Sequence, residues 1–471
     1  MKPVGLAIVQ GWIRLGTRFL PFADAATPDL PLGRLLRLSL FQVSVGMALV
    51  LLLGTLNRVM IVELGVPASL VAVMVALPVL YAPFRALVGF RSDTHRSALG
   101  WRRVPFMWMG TMIQFGGLAI MPFALLVLSG GGNASQWPAW IGQAGAAIAF
   151  LLVGAGLHTT QTAGLALAND LAPVESQPRV VGLMYVMLLL GSIVSALIFG
   201  TLLHDYSPGR LVQVIQGAAL ATMILNTLAL WKQETRNPAR RAIRGDPAPA
   251  PRFMDAWRRY TAGDQAVRRL VVIGLGTLAF GMQDVLIEPY GGQVLHLSVG
   301  STTYLTATIA LGGLFGFGLA SAVLGRGADP YRMAAAGAWV GIPAFVAVIA
   351  SASTQSSLMF AAGVFAIGLG GGLFGHGTLT ATMNRAPRDQ TGLALGAWGA
   401  VQATAAGVGV AAGGILRDVV GAILPPPEWG SALAGPAFGF VAVYAIEIVL
   451  LIATLVAIDR LIVPRTRLVR A

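Results

Sequence analysis

The chain has 471 residues, 56% hydrophobic and 11% charged, with a formal net charge of +13 and no cysteine. A soluble domain carries about 25% charged residues, so a soluble enzyme or binding module is excluded. The missing cysteines rule out disulfides, thiol chemistry and cysteine-ligated clusters. The positive charge fits anionic membrane lipids better than nucleic acid.

The first apolar stretch, Val4 to Leu20, is interrupted by Gly11, Arg14, Gly16 and Arg18 and followed by Pro21, Pro28 and Pro31. That pattern does not fit a cleavable signal. Trp12, Ile13, Leu15, Phe19 and Leu20 beside Arg14 and Arg18 predict a helix lying in the inner interface. Twelve long apolar runs follow, at 38–62, 68–89, 104–128, 139–168, 180–203, 211–231, 270–292, 301–324, 332–351, 356–381, 392–416 and 436–459. Each has roughly the twenty residues that a helical bilayer crossing needs. Of the 32 lysines and arginines, 28 fall in the two tails or in every second loop; the others are Arg58, Arg85, Arg210 and Arg417. Basic residues resist translocation, so this side is predicted cytoplasmic, with both termini inside.

The longest polar stretch, Lys232 to Arg269, has Asp246-Pro-Ala-Pro-Ala-Pro251 at its centre and reads as a stiffened linker. The predicted organisation is therefore a segment 1–36, a six-helix half 37–231, a cytoplasmic linker 232–269, a second half 270–463 and a tail 464–471. Three matches recur in order between the halves. Gly54-Thr-Leu-Asn57 through Glu63 resembles Gly281-Met-Gln-Asp284 through Glu288. Gly89-Phe-Arg-Ser-Asp93 resembles Gly325-Arg-Gly-Ala-Asp329. Asn169-Asp-Leu-Ala-Pro173 resembles Asn384-Arg-Ala-Pro387. Parallel six-helix repeats predict an all-α membrane protein of major facilitator architecture. Gly89 and Asp93 with Arg102 and Arg103 resemble that superfamily's loop signature, stretched by a few residues. There the glycine permits close helix approach, and the aspartate accepts bonds from a neighbouring helix N-terminus.

Charged groups inside a bilayer cost about 2.5–3.5 kcal/mol even on the cheaper scale. Run 1 carries Asn57, Arg58 and Glu63; run 7 carries Gln283, Asp284 and Glu288. Pairing of Arg58 with Asp284 or Glu288 is the economical expectation, either as a gate latch or polar-group site or as a structural ion pair. Glu447 stands alone in run 12, where a lipid-facing carboxylate would be odd; protonation or contact with a partner helix is expected instead. Arg85 is expected to snorkel to the headgroups.

His158 and His376 lie on runs 4 and 10, equivalent in the two halves, amid Gly154-Ala-Gly-Leu-His158 and Gly370-Gly-Gly-Leu-Phe-Gly-His376. Two isolated histidines make a poor zinc site. They suit a metal already held in a planar macrocycle that needs one axial nitrogen, so no metal is expected on the protein directly. The competing account is a hydrogen bond to a neighbouring helix. The patterns Gly312-x-x-x-Gly316, Gly368-x-x-x-Gly372, Gly392-x-x-x-Gly396 and Gly409-x-x-x-Gly413 predict close helix packing. No phosphate-binding loop and no nucleophile–base pairing is apparent, so neither ATP-driven transport nor catalysis is expected.

Several segments resemble the PucC/LhaA, or bacteriochlorophyll-delivery, family of phototrophic bacteria. They include Leu35-Leu-Arg-Leu-Ser-Leu-Phe-Gln-Val-Ser-Val-Gly46, Gly54-Thr-Leu-Asn-Arg-Val-Met-Ile-Val-Glu-Leu64 and Ala82-Pro-Phe-Arg-Ala-Leu-Val-Gly-Phe-Arg-Ser-Asp93. Ser97-Ala-Leu-Gly-Trp-Arg-Arg-Val-Pro105, His158-Thr-Thr-Gln through Asn169-Asp-Leu-Ala-Pro173, and Arg179-Val-Val-Gly-Leu-Met-Tyr185 complete the set. Leu20-Pro-Phe-Ala-Asp-Ala-Ala26 leans toward the LhaA type, which serves the core antenna; the PucC type serves the peripheral one. The resemblance implies a light-harvesting assembly factor in the inner or intracytoplasmic membrane, with bacteriochlorophyll bound or transferred. It implies antenna polypeptides and pigment-synthesis enzymes as partners. His158 is the first candidate for the pigment site and His376 the second. The alternative is an ordinary secondary transporter of a small amphipathic solute.

Overall fold

The computed structural model describes residues 27, 30–80, 85, 88, 92, 101–130, 133, 136–173, 176–234, 258, 265–385, 391–423 and 437–462. The expected interfacial helix at 4–20, the Leu20–Ala26 segment and nearly all of the linker lie outside them. Among the described residues, eleven helices are long and apolar enough to cross a membrane. The second apolar run is described only over a shorter helix, Ala68–Leu80. The chain is a multi-pass membrane protein. In hydrocarbon every backbone polar group must be satisfied within the chain, and a helix does this segment by segment.

The elements in chain order are α1 (Leu32–Leu38), α2 (Leu40–Leu49), α3 (Ala68–Leu80), α4 (Val104–Leu128), α5 (Ala139–Leu171), α6 (Gln177–Leu202) and α7 (Pro208–Leu230). Then come α8 (Ala266–Gly281), α9 (Ile287–Gln293), α10 (Val299–Leu324), α11 (Pro330–Thr354), α12 (Ser357–Arg385), α13 (Thr391–Ile423) and α14 (Ala437–Asp459). Two crossings are irregular. Helix α2 continues as wider π-turns over Val50–Leu56 and Val59–Glu63. Helices α8 and α9 are joined by a tight 3-10 turn, Met282–Val285.

The contacts divide the chain into two compact units. The first holds Met1–Leu49, Pro83–Ser195 and Pro208–Arg244; the second holds Val50–Ala82, Ala196–Ser207 and Gly245–Ala471. The outer parts of runs 1, 2 and 5 thus pack with the second-half helices.

In the first unit, Phe41 of α2 lies on Gly164 of α5, and Leu35, Leu38, Met107, Leu167 and Leu183 fill the adjoining core. Buried amides and hydroxyls tie the helices together. Ser44 donates to Asn226 Oδ1 at 2.7 Å, and Asn226 Nδ2 donates to Thr111 at 3.0 Å. In the second unit, three of the four expected glycine patterns make internal contacts, and the surroundings of Gly392 and Gly396 lie outside the described residues. Gly312 and Gly316 of α10 face the backbone of Phe365 and Leu369 on α12, while Gly368 and Gly372 face Ile309 and Gly313 in return. Gly409 and Gly413 of α13 lie against Leu278 to Met282. Around Tyr290, the rings of Phe360, Phe440 and Tyr444 stand 5.1–5.6 Å away, and its hydroxyl donates to Val348 O at 3.0 Å.

The α10–α12 approach can be tested directly. Gly312→Ala would push a methyl into Phe365 O and is expected to cost about 1–3 kcal/mol, the usual price of overpacking. Gly318→Ala meets nothing within 4 Å and is expected to stay within about 0.5 kcal/mol of the parent. Thermal melts in detergent measure both; equal effects would show that the contact is not limiting.

Candidate functional site

Three groups of polar residues stand out inside the apolar helices. The first lies in the second unit, where the π-turns after α2 meet the break between α8 and α9. Asn57 Nδ2 donates to Leu53 O at 3.0 Å and to Val285 O at 2.8 Å, bridging the two irregular segments. Thr55 and Thr303 hydroxyls lie 3.3 Å apart. The missing Cβ of Gly54 leaves room for the Glu288 carboxyl and Thr306. Thr306 donates to Glu288 Oε1.

The expected pairing of Arg58 with Asp284 or Glu288 is corrected here. Arg58 forms an ion pair with Glu63 and donates to Leu297 O at 3.1 Å. The reason is the local helix type. In a π-turn, backbone bonds join residues five apart, as from Leu64 N to Val59 O at 3.0 Å. Arg58 and Glu63 are also five apart, so the widened turn stacks them. The Arg58 guanidinium lies over Gly292, farther along α9 than Glu288. Asp284 instead accepts from the Gln283 amide. Beside the pair, burial pushes the Tyr206 hydroxyl above its usual range, with Glu63 adding and Arg58 opposing.

Glu447 is 0% exposed and faces inward, in contact with a neighbouring helix segment rather than lipid. Its Oε1 accepts the Gln283 N–H at 2.7 Å, an amide freed by the break in helix geometry. A second link lies at the far end of α13. Arg417 bonds Asp418 at 2.7 Å and Gln293 at 2.6 Å and sits 4.7 Å over the Phe440 ring. Asp418 accepts the Ser69 N–H at 2.6 Å, joining α3 to α13.

The second group is in the first unit, around His158. Arg85 does not snorkel. Its Nε donates to Thr162 at 3.2 Å and its Nη2 to Gln161 at 3.3 Å, and Gln161 reaches Gln42 at 3.3 Å. Two polar acceptors one turn from His158 hold the guanidinium inward, close enough to interact with the imidazole. The His158 ring makes no hydrogen bond among the described residues, and its buried Nδ1 has no partner. His376 in the second unit behaves alike: its Nδ1 is buried and unpartnered, and its ring meets Phe317 edge-on at 4.2 Å. Among the described residues, neither Nδ1 makes the helix–helix hydrogen bond that would explain these histidines structurally. Each imidazole is thus left with a nitrogen that nothing in the described chain uses. No group of three or more histidine, aspartate or glutamate side chains that could hold a metal occurs among the described residues.

The third group is the loop before α4. Gly89 and Asp93 lie outside the described residues. Arg102 and Arg103 both pair with Asp170 at the end of α5, at 2.5 and 3.0 Å. Arg103 also donates to Ser92 at 2.6 Å. Glu234, just after α7, accepts the backbone N–H groups of Arg102, Arg103 and Val104 at 2.7–3.0 Å. A carboxylate there satisfies free amides and favours the positive end of the helix dipole. Sequence reasoning assigned this kind of role to Asp93 and passed over Glu234. In the second half, Asp329 caps its own helix, accepting from Tyr331 N at 2.7 Å.

With this geometry in hand, the comparisons are direct. Residues 55–466 match the family described as PUCC protein. The chain belongs to the PucC family. It is 64% identical to Protein PucC of Rhodovulum sulfidophilum over 408 residues, covering 86% of this chain and 89% of that one. It is 57% identical to Protein PucC of Cereibacter sphaeroides, covering 96% of each. At 29% identity it also matches the "Bacteriochlorophyll synthase 44.5 kDa chain" of Rhodobacter capsulatus, over 83% of this chain and 89% of that one.

Among solved structures, it is similar to a bacterial homologue of the lysosomal transporter Spinster. The TM-score is 0.66 at 15% identity, covering 90% of this chain and 95% of that one. A bacterial homologue of the iron transporter ferroportin gives 0.63 at 14% identity, covering 90% and 97%. The fold of this PucC-family chain is the major facilitator fold.

The revised pairing predicts a double-mutant result. Arg58→Met and Glu63→Leu are expected to couple by about 0.5–1 kcal/mol in thermal unfolding, modest because Glu63 remains 35% exposed. Coupling of Arg58 to Asp284 is expected to be smaller. The reverse order would restore the original pairing.

Proposed function

We propose that this protein is an assembly factor for light-harvesting complexes, holding or delivering bacteriochlorophyll and engaging antenna polypeptides. One observation carries the reading beyond family membership. His158 and His376 each keep a buried ring nitrogen with no partner among the described residues. An unsatisfied nitrogen in hydrocarbon is costly, and a metal in a macrocycle that lacks one axial ligand answers that cost. His158 and His376 would be the residues to hold it. The pigment is cargo here, and its chemistry is light absorption by the macrocycle. The chain contributes binding and orientation, with Arg85 beside His158 as a donor for a peripheral carbonyl. No reaction step is assigned to the protein.

We place it in the inner or intracytoplasmic membrane, with both termini and the linker on the cytoplasmic side, and retain the division into two six-helix halves. Pigment-synthesis enzymes and anionic inner-leaflet lipids complete the proposed partners; nucleic acid is not among them. The lean of Leu20–Ala26 toward core-antenna assembly stands against relatives named PucC. Which antenna fails to accumulate in a strain lacking the protein decides between them. Secondary transport of an amphipathic solute is the second reading, favoured by the fold shared with transporters.

Protein purified from a phototrophic host is expected to carry near-infrared-absorbing pigment and co-purifying antenna polypeptides. Preparations lacking both would favour the transporter. His158→Phe is expected to lower bound pigment while expression and melting temperature hold. Unchanged pigment and spectrum would remove His158 from the site. A reporter fused within 240–250 is expected to read cytoplasmic, and a periplasmic reading would overturn the orientation.

A further inference from the structure

The break between α8 and α9 carries an imbalance that pigment binding does not address. Four oxygens that accept hydrogen bonds are buried there without a donor: Asn57 Oδ1, Gln283 Oε1, Glu288 Oε2 and Glu447 Oε2. Asn57, Gln283, Glu288 and Glu447 are all at most 3% exposed. The orientation of Asn57 is fixed, because both partners of its Nδ2 are carbonyl oxygens. Among the described residues, two buried donor atoms are left over nearby, Arg58 Nε and the Tyr444 hydroxyl. The Arg58 terminal nitrogens are engaged by Glu63 and Leu297 O, and its guanidinium lies over Gly292. Glu288 has no ion-pair partner among the described residues.

Buried carboxylates are paired, metal-bound or neutral. Arg58 acts on Glu288 from a distance while its ion pair is with Glu63, and no metal-holding cluster occurs among the described residues, so a proton on the carboxyl itself is the remaining way to neutralise it. Irregular backbone at membrane depth is tolerated where it is buried in protein or lines a cavity, and broken helices commonly bind the coupling ion. We propose that Glu288, set between Gly54, Asn57 and Thr306 at the α8–α9 break, is a proton-binding site. Thr306 donates to Oε1, so the proton resides on Oε2. The carboxyl gains an O–H bond on protonation and loses it to solvent or a carrier on release. Gly54 abuts the same carboxyl, so protonation changes the contact by which the π-segment of run 1 rests on run 7. The charged and titratable groups around it are Arg58 and Glu63 on the π-segment and Asp284 on its own run. Glu447 and Tyr444 on α14 and Tyr206 beside Glu63 complete them. The facing helix α10 offers Thr306 and no charged residue.

The full-length protein in lipid nanodiscs tests this by infrared difference spectroscopy across a pH series, reading the C=O stretch of protonated carboxyls. The expected result is a carboxyl band that is lost as pH rises and is absent in Glu288→Gln, whose amide keeps the shape of the neutral acid. Glu447→Gln should leave that band in place. Thr306→Val should shift its frequency, because one hydrogen bond to the carboxyl is gone. The proposal is overturned if Glu288→Gln retains the whole pH-dependent band, or if Thr306→Val leaves it unmoved. It is also overturned if exchanging sodium for choline at fixed pH removes the carboxylate signal change, which would make the ligand a metal cation. Hydrogen exchange over residues 50–64, corrected for its intrinsic pH dependence, gives a second readout. It should rise with pH in the parent and stay flat in Glu288→Gln; identical profiles would sink the link to the π-segment.

Discussion

Hydrocarbon solvates no polar group, and the rest of this structure follows from that constraint. A long helix meets it with its own backbone bonds. Where the helix departs from regular geometry, side chains must take over the freed groups. Asn57 bonds two backbone carbonyls across the irregular segments, and Glu447 accepts the amide of Gln283 at the α8–α9 break. Glu234 does the same for three amides before α4. The unused nitrogens of His158 and His376, and the unused oxygens near Glu288, are departures from the same rule. They are places where the described residues leave a polar atom uncompensated.

Packing obeys a related logic. Lipid tails are as apolar as leucine, so helices gain little by hiding leucines from them. Association relies on close backbone approach and on a few internal hydrogen bonds. The α10–α12 glycines provide the first, and Ser44, Asn226 and Thr111 provide the second. Large apolar residues such as Phe123, Trp140, Leu220 and Phe315 remain on the outside, where a soluble protein would not place them.

Much of the architecture was legible in the sequence. Run length is a one-dimensional property, and the bilayer reads it in one dimension. The glycine pairs were legible for the same reason: spacing by four places them on one helix face. The partners of isolated polar residues were not legible. Arg58 looked available to Asp284 or Glu288 because a regular 3.6-residue turn does not stack it on Glu63; a π-turn does. Glu447 stood out as an oddity in an apolar run, but a run apolar on every side gives no periodic sign of which partner it meets. Arg85 was drawn inward by Gln161 and Thr162, whose positions depend on tertiary packing. His158 and His376 were found by their scarcity and equivalent placement, but only the structure showed both rings without hydrogen bonds.

The three-amide clamp of Glu234 also sets an order of events during synthesis. Val104 N and its acceptor are 130 residues apart, so at about 5–20 residues per second the clamp waits roughly ten seconds for its acid. Until then the start of α4 sits at the membrane face with free N–H groups. Glu234 leaves the ribosome only after α7 has been made. Its arrival closes the first stretch of helices with a bond that no shorter nascent chain can form, a chemical mark that the stretch is finished before the rest of the linker and the remaining helices emerge.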